Sequence, residues 1–107
     1  MLARRTTLRS TVDRVPYEWL SAALAAIGVR GIGPDEVLQV LFGPRRRPVP
    51  VRSSVGLAFV NVWGRTEGGR PLIVTVRRLD GFDALIVGAR DMSAEEKGEF
   101  EAWETNR

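Results

Sequence analysis

Residues 57–90 read LAFVNVWGRTEGGRPLIVTVRRLDGFDALIVGAR, and this stretch decides the fold. It holds three short apolar runs rich in Val and Ile: Leu57–Arg65, Pro71–Arg78 and Ala84–Arg90. Glu67-Gly68-Gly69-Arg70 separates the first two runs, and a Gly-Gly pair supplies the positive φ that a tight hairpin needs. Asp80-Gly81 separates the second and third in the same way. The spacing predicts an antiparallel meander of three strands, or four with an edge strand at the N-terminus.

Downstream, Ser93-Ala94-Glu95-Glu96 fits the S-x-x-E capping box and opens a last helix, with Phe100 and Trp103 as its narrow apolar edge. These two aromatics read as intramolecular anchors rather than partner contacts. Upstream, Trp19, Leu20, Ala23, Leu24 and Ile27 recur at helical spacing, which predicts a helix from Tyr17 to Ile27 ended by Gly28. A second helix is expected from Pro34 to Phe42, with Asp35 and Glu36 at its positive end and Gly43-Pro44 as its stop. The two form a helical hairpin. Arg45 to Ser54, with three successive arginines and two prolines, reads as a loop or irregular edge segment. Met1 to Arg14 is a basic arm, flexible or carrying an edge strand around Leu8 to Val12. The expected whole is a single α+β domain over residues 1–107: a helical hairpin packed on a three- to four-strand meander, with a C-terminal helix.

Strand alternation sorts the meander into two faces. One collects Ala58, Val60, Val62, Leu72, Val74, Val76, Leu85, Val87 and Ala89, all apolar, and the helices should cover it. The other collects Phe59, Asn61, Trp63, Arg65, Ile73, Thr75, Arg77, Ile86, Gly88 and Arg90. On this mixed face Arg65, Arg77 and Arg90 are candidates to grip phosphate and stabilise its charge. Trp63 is a candidate to stack on a base, and Gly88 leaves room for a ligand. The plain alternative is a solvated face on which arginine stems cover Phe59 and Trp63. In that case Arg90 holds a carboxylate such as Asp91 or Glu96.

Composition narrows the chemistry. The chain has no cysteine and no histidine, which excludes thiolate sites, disulfides and the commonest general base. It shows no phosphate-loop, dinucleotide or metal-ligand spacing, so no cofactor and no metal are expected. Fifteen of its sixteen basic residues are arginine. Residues 1–92 carry 14 arginines against 8 acids, while the last fifteen residues hold five glutamates. A basic body beside an acidic helix suits an anionic partner, and guanidinium binds phosphate as a fork. Genomic preference for arginine explains the Arg/Lys ratio equally well, but not the segregation of charge. Arg45, Arg46 and Arg47 form a further nucleic-acid-like cluster, set against a plain solvated loop. Tyr17 is a general-acid candidate or, more simply, a packing residue. With neither a signal segment nor a run of ~20 apolar residues, a cytoplasmic protein without membrane contact is expected.

Several of these segments resemble the RelE/ParE toxin superfamily, and within it the BrnT-like toxins. Gly64-Arg65-Thr66-Glu67-Gly68-Gly69-Arg70 looks like the family's Gly-x-Thr-x-x-Gly-Arg hairpin. Leu85-Ile86-Val87-Gly88-Ala89-Arg90-Asp91-Met92 is similar to its strand ending in Ser-Ala-Arg-x-(Ala/Met). Ser93-Ala94-Glu95-Glu96-Lys97 is similar to the Thr-x-x-Glu-Arg/Lys that opens its last helix, and Gly31 to Val37 to its Gly-Val-x-x-x-Glu-Val/Ala. The resemblance implies a ribonuclease-like toxin paired with a DNA-binding antitoxin. It implies functional roles for Arg90, for Arg70 in the hairpin, and for Arg77 or Arg78 after the second strand. A non-catalytic nucleic-acid- or protein-binding adaptor on the same fold, or a partner subunit without a nucleic-acid role, remain the competing readings.

Overall fold

Gly69, at φ 94°, turns the central hairpin, and Thr66 locks it. The Thr66 N–H donates to the Arg70 carbonyl at 2.9 Å, and the Thr66 hydroxyl accepts from the Arg70 N–H at 3.1 Å. Around this hairpin the computed structural model describes residues 17–78 and 83–106. The basic arm with its expected strand at Leu8 to Val12, and the Asp80-Gly81 turn, lie outside the described residues. The chain runs β1 (Tyr17–Trp19), α1 (Ser21–Val29), α2 (Pro34–Leu41), β2 (Arg47–Arg52), β3 (Ala58–Arg65), β4 (Pro71–Arg78), β5 (Ala84–Asp91) and α3 (Ala94–Thr105). The strands form one mixed sheet in the order β1-β5-β4-β3-β2. The fold is α+β, and the meander β3-β4-β5 is where the sequence places it. Two strands were not expected.

The first is β1. Tyr17 to Trp19 does not begin the helix; it pairs in parallel with Ala84 to Ile86 of β5. Aromatic residues suit a strand, and the open edge of β5 offers backbone partners that a helical start would leave unmet. The Leu20 N–H donates to the Ile86 carbonyl at 3.0 Å, so α1 begins only at Ser21. Ala23 and Ile27 are buried, while Leu20 and Leu24 are more than 40% exposed, so the apolar stripe is narrower than its spacing suggests.

The second is β2, which replaces the expected irregular segment. Pro48 and Pro50 are no obstacle on an outermost strand. Every second N–H of such a strand points away from the sheet, and both prolines sit at those positions, opposite Val62 and Val60 of β3.

Pairing also corrects the faces. Between Thr75 and Val76 the β4–β5 register slips: Thr75 opposes Gly88, but Val76 opposes Ile86. Val87 is bulged out, so the parity of β5 inverts before it. Ile86 therefore joins the core face, fully buried beside Val76, and Leu85 turns to the mixed face with Arg77.

Each face carries its own core. Ile27, Ile32, Val37, Val40 and Leu41 from α1, α2 and their connection pack on Val62, Leu72, Val74, Val76, Ile86 and Ala89. On the other face Trp63 and Ile73 pack with Met92 and Phe100, flanked by Val49 and Trp103. Phe100 is completely buried and stacks on Trp103 at 5.4 Å. Burying a side chain of that size is worth about 2–3 kcal/mol, which makes Phe100 the anchor of α3. Ser93 caps the helix as read: its hydroxyl accepts from the Glu96 N–H at 3.1 Å, and Glu96 accepts from the Ser93 N–H at 2.9 Å.

Candidate phosphate-binding site

The mixed face is built in rows across the strands. Trp63, Ile73 and Arg90 form the row beneath α3. Asn61, Thr75 and Gly88 form the next, and Arg77 with Leu85 the third. The Thr75 hydroxyl donates to Asn61 Oδ1 at 2.7 Å, which fixes the middle row. Past Ile86, β1 no longer borders β5, and α1 runs alongside instead. A cavity of about 330 Å³ opens there, lined by Ala26, Arg30, Thr75, Val87, Gly88, Ala89 and Arg90. A Cβ added to Gly88 would meet nothing within 4 Å, so the space beside it is open.

Two arginines line this cavity. Arg90 forms a fork with Glu96, at 2.7 Å and 2.8 Å, and remains 43% exposed at its side chain. The fork and the Ser93 N–H hold the Glu96 carboxyl down to about 2. The same fork raises the pKa of Arg90, which stays cationic. Arg30, at the end of α1, makes no ion pair among the described residues. Sequence reasoning passed over Arg30, because its only local signal is an arginine between a helix end and Gly31. Nothing local says that α1 lies along β5.

The other candidate residues divide. Arg65 is held by Glu104 through Nε and Nη2, both at 3.0 Å, and lies 5.6 Å from the Phe100 ring. Arg47 reaches Glu99 at 3.3 Å and lies 5.3 Å from the Trp63 ring. Arg45 donates to the Glu104 carbonyl at 2.9 Å. Trp63 is 8% exposed, packed under α3 and not open to a base, and its indole N–H has no hydrogen-bond partner. Arg70 is a clamp: it binds Asp91 at 2.9 Å, Glu36 at 3.1 Å and the Gly31 carbonyl at 2.9 Å, tying the hairpin to α2, β5 and the α1–α2 connection. Its pairing lowers the Asp91 pKa. Arg77 and Arg78 are exposed, with no carboxylate partner among the described residues. Among the described residues, Arg46 donates only to the Gly43 carbonyl.

Arg65, Arg77 and Arg90 share a face but do not converge. Arg77 stands four residues along β4 from Ile73, which opposes Arg90, a separation of roughly 13 Å. Tyr17 packs edge-to-face on Phe42 at 5.5 Å and lies on the opposite face, away from the cavity. The cavity therefore offers one guanidinium fixed by Glu96, a second, exposed arginine, a hydroxyl committed to Asn61, and open space at Gly88. That is equipment for holding an oxyanion. Compared with models of known protein families and with curated proteins, the sequence finds no match.

Proposed function

We propose that the chain binds RNA through phosphate at the Arg30–Gly88–Arg90 cavity, as the ribonuclease-like toxin of a toxin–antitoxin pair. The observation that carries this is the open space at Gly88 between two arginines, Arg90 and Arg30, the second in no ion pair among the described residues. Arg90 and Gly88 belong to the segment that resembles the BrnT-like toxins. A helical hairpin on one face of a meander, with a helix after the last strand, is compatible with a RelE/ParE-like arrangement. Attack by a ribose 2′-hydroxyl builds negative charge on phosphorus, and preorganised cations lower the energy of that state. Arg90 and Arg30 fill this role in the proposal, in a cytoplasmic setting where a cognate antitoxin restrains the activity.

A second reading has its own support. Among the described residues no carboxylate, tyrosine or lysine lines the cavity to act as acid or base, and Arg65 and Arg77 stand apart from it. That favours an RNA-binding adaptor without catalysis. One experiment separates the two: purified chain is mixed with labelled single-stranded RNA and followed for binding and for cleavage across a salt series. Binding should weaken with salt, with a slope of roughly −0.7 per phosphate engaged. Cleavage products select the toxin, binding without cleavage selects the adaptor, and no salt-dependent binding overturns both.

A further inference from the structure

Among the described residues, the opposite, helix-bearing face is not fully covered. Where α1 and α2 stop, a cavity of about 380 Å³ is floored by Val60, Val62 and Val76 and walled by Tyr17. A second, of about 320 Å³, continues toward Pro50 and Arg52. Both are lined by Val60 and Arg78, so the two lie side by side between β1 and β2 and are treated together as one groove. Phe42, beside Tyr17, leaves 54% of its surface exposed at the groove's edge. Arg46, Arg52 and Arg78 stand on its rim. Arg46 and Arg52 donate only to the Gly43 and Gly56 carbonyls, and none of the three has a carboxylate partner among the described residues.

We infer that this groove docks an acidic amphipathic helix of a second protein. An aliphatic floor asks for apolar side chains, and three uncompensated guanidiniums on the rim ask for carboxylates, which they bind as forks. Charge decides against the other occupants. The chain's own N-terminal arm carries Arg4, Arg5, Arg9 and Arg14 against Asp13, the same sign as the rim. A second copy is itself net positive, and its Glu96, Glu99 and Glu104 are held by its own arginines. RNA would gain little from a floor of valines, and the Tyr17 ring in the wall already packs on Phe42. Strand addition at β2 is disfavoured, because Pro48 and Pro50 remove the outward donors. Spanning five strands at ~4.8 Å spacing takes roughly 19 Å, the length of a helix of about thirteen residues. This inference does not rest on the RNA reading, since the groove and the Gly88 row occupy opposite faces.

The test uses the full chain with methyl-labelled Val and Met. Its probe is a fourteen-residue helical peptide with leucine on one face and glutamate on the other. Its controls are the same peptide with lysine for glutamate and a single-stranded RNA oligomer. The glutamate peptide should shift the methyl signals of Val60, Val62 and Val76 and leave Met92, under α3, unmoved. The double variant Arg46→Glu/Arg78→Glu should bind it roughly tenfold more weakly at an unchanged melting temperature. Should that variant be unstable, Phe42→Ala, which trims the groove's edge, should weaken the same peptide. Binding of the lysine peptide or the RNA at those valines in its place would overturn the inference. So would glutamate-peptide binding that neither variant weakens, or no shift at millimolar peptide.

Discussion

The arginines on the two sides of the sheet live in different electrostatic surroundings. Beneath α3, Arg47, Arg65 and Arg90 each hold a glutamate of one helix, and Arg70 holds Asp91 and Glu36. At the open end of the helix-bearing face, Arg46, Arg52 and Arg78 hold none among the described residues. The same residue type therefore does two jobs. Beneath α3 and at the hairpin it fastens elements together; at the far end of the sheet, where Arg77 on the other face is likewise exposed, it holds no carboxylate among the described residues. In a chain with fifteen arginines, charge by itself does not mark a binding site. The pairing does.

The comparison breaks most easily at the aromatic anchors. Phe100→Ala should cost about 3–5 kcal/mol and unseat α3, because it empties a fully buried position. Phe42→Ala, at a half-exposed site, should cost less than about 1 kcal/mol. Chemical denaturation of both reads the difference, and equal losses would mean that α3 is not seated by its ring.

Next come the clamps. Arg70→Ala should lose about 2 kcal/mol, since it strands two carboxylates and a carbonyl that the guanidinium now satisfies. Arg78→Ala should stay within about 0.5 kcal/mol of the parent. If Arg78→Ala proves as costly as Arg70→Ala, the division into engaged and free arginines is wrong.

A smaller effect is expected from acid. The Glu96 carboxyl is lowered from 4.5 to about 2 by Arg90 and the Ser93 N–H, and those of Asp91 and Glu104 are lowered as well. A lowered carboxyl contributes stability that is complete above its unfolded value and lost as pH falls through its folded one. The protein should therefore weaken steadily from about pH 4.5 toward 2. Glu96→Gln should lower stability at neutral pH by about 1 kcal/mol and flatten that decline. A variant that declines as steeply as the parent would assign the acid sensitivity elsewhere. By the same pairing, Arg90→Ala should cost on the order of 1 kcal/mol in addition to any loss of RNA binding. That cost belongs to the alternative in which Arg90 holds a carboxylate, here Glu96.

What the sequence disclosed follows from how local each signal is. The meander and the Ser93 cap were legible because Gly-Gly, Val- and Ile-rich runs and S-x-x-E each act within a few residues. Strand β1 was hidden because Tyr17 to Trp19 extend a pattern that also suits a helix. Strand β2 was hidden because its prolines are tolerated only at a sheet edge, a fact of tertiary placement. The slip at Val87 cannot be seen before β4 and β5 are paired, so Leu85 and Ile86 were assigned to each other's faces. Arg90 and Gly88 were legible as neighbours on one face, two residues apart. Arg30 was not, and neither was the burial of Trp63, because both depend on where a helix lies relative to distant strands.

The central claim is that the space at Gly88, between Arg30 and Arg90, receives a phosphate of RNA. Gly88→Val tests it most directly. The added side chain meets nothing within 4 Å at its Cβ, Gly88 has no unusual φ, and valine favours strands more than glycine does. RNA affinity and melting temperature should be measured on the same purified variant. The account predicts at least a tenfold loss of RNA affinity with a melting temperature equal to or slightly above the parent's. Undiminished RNA binding by a folded Gly88→Val protein would contradict it.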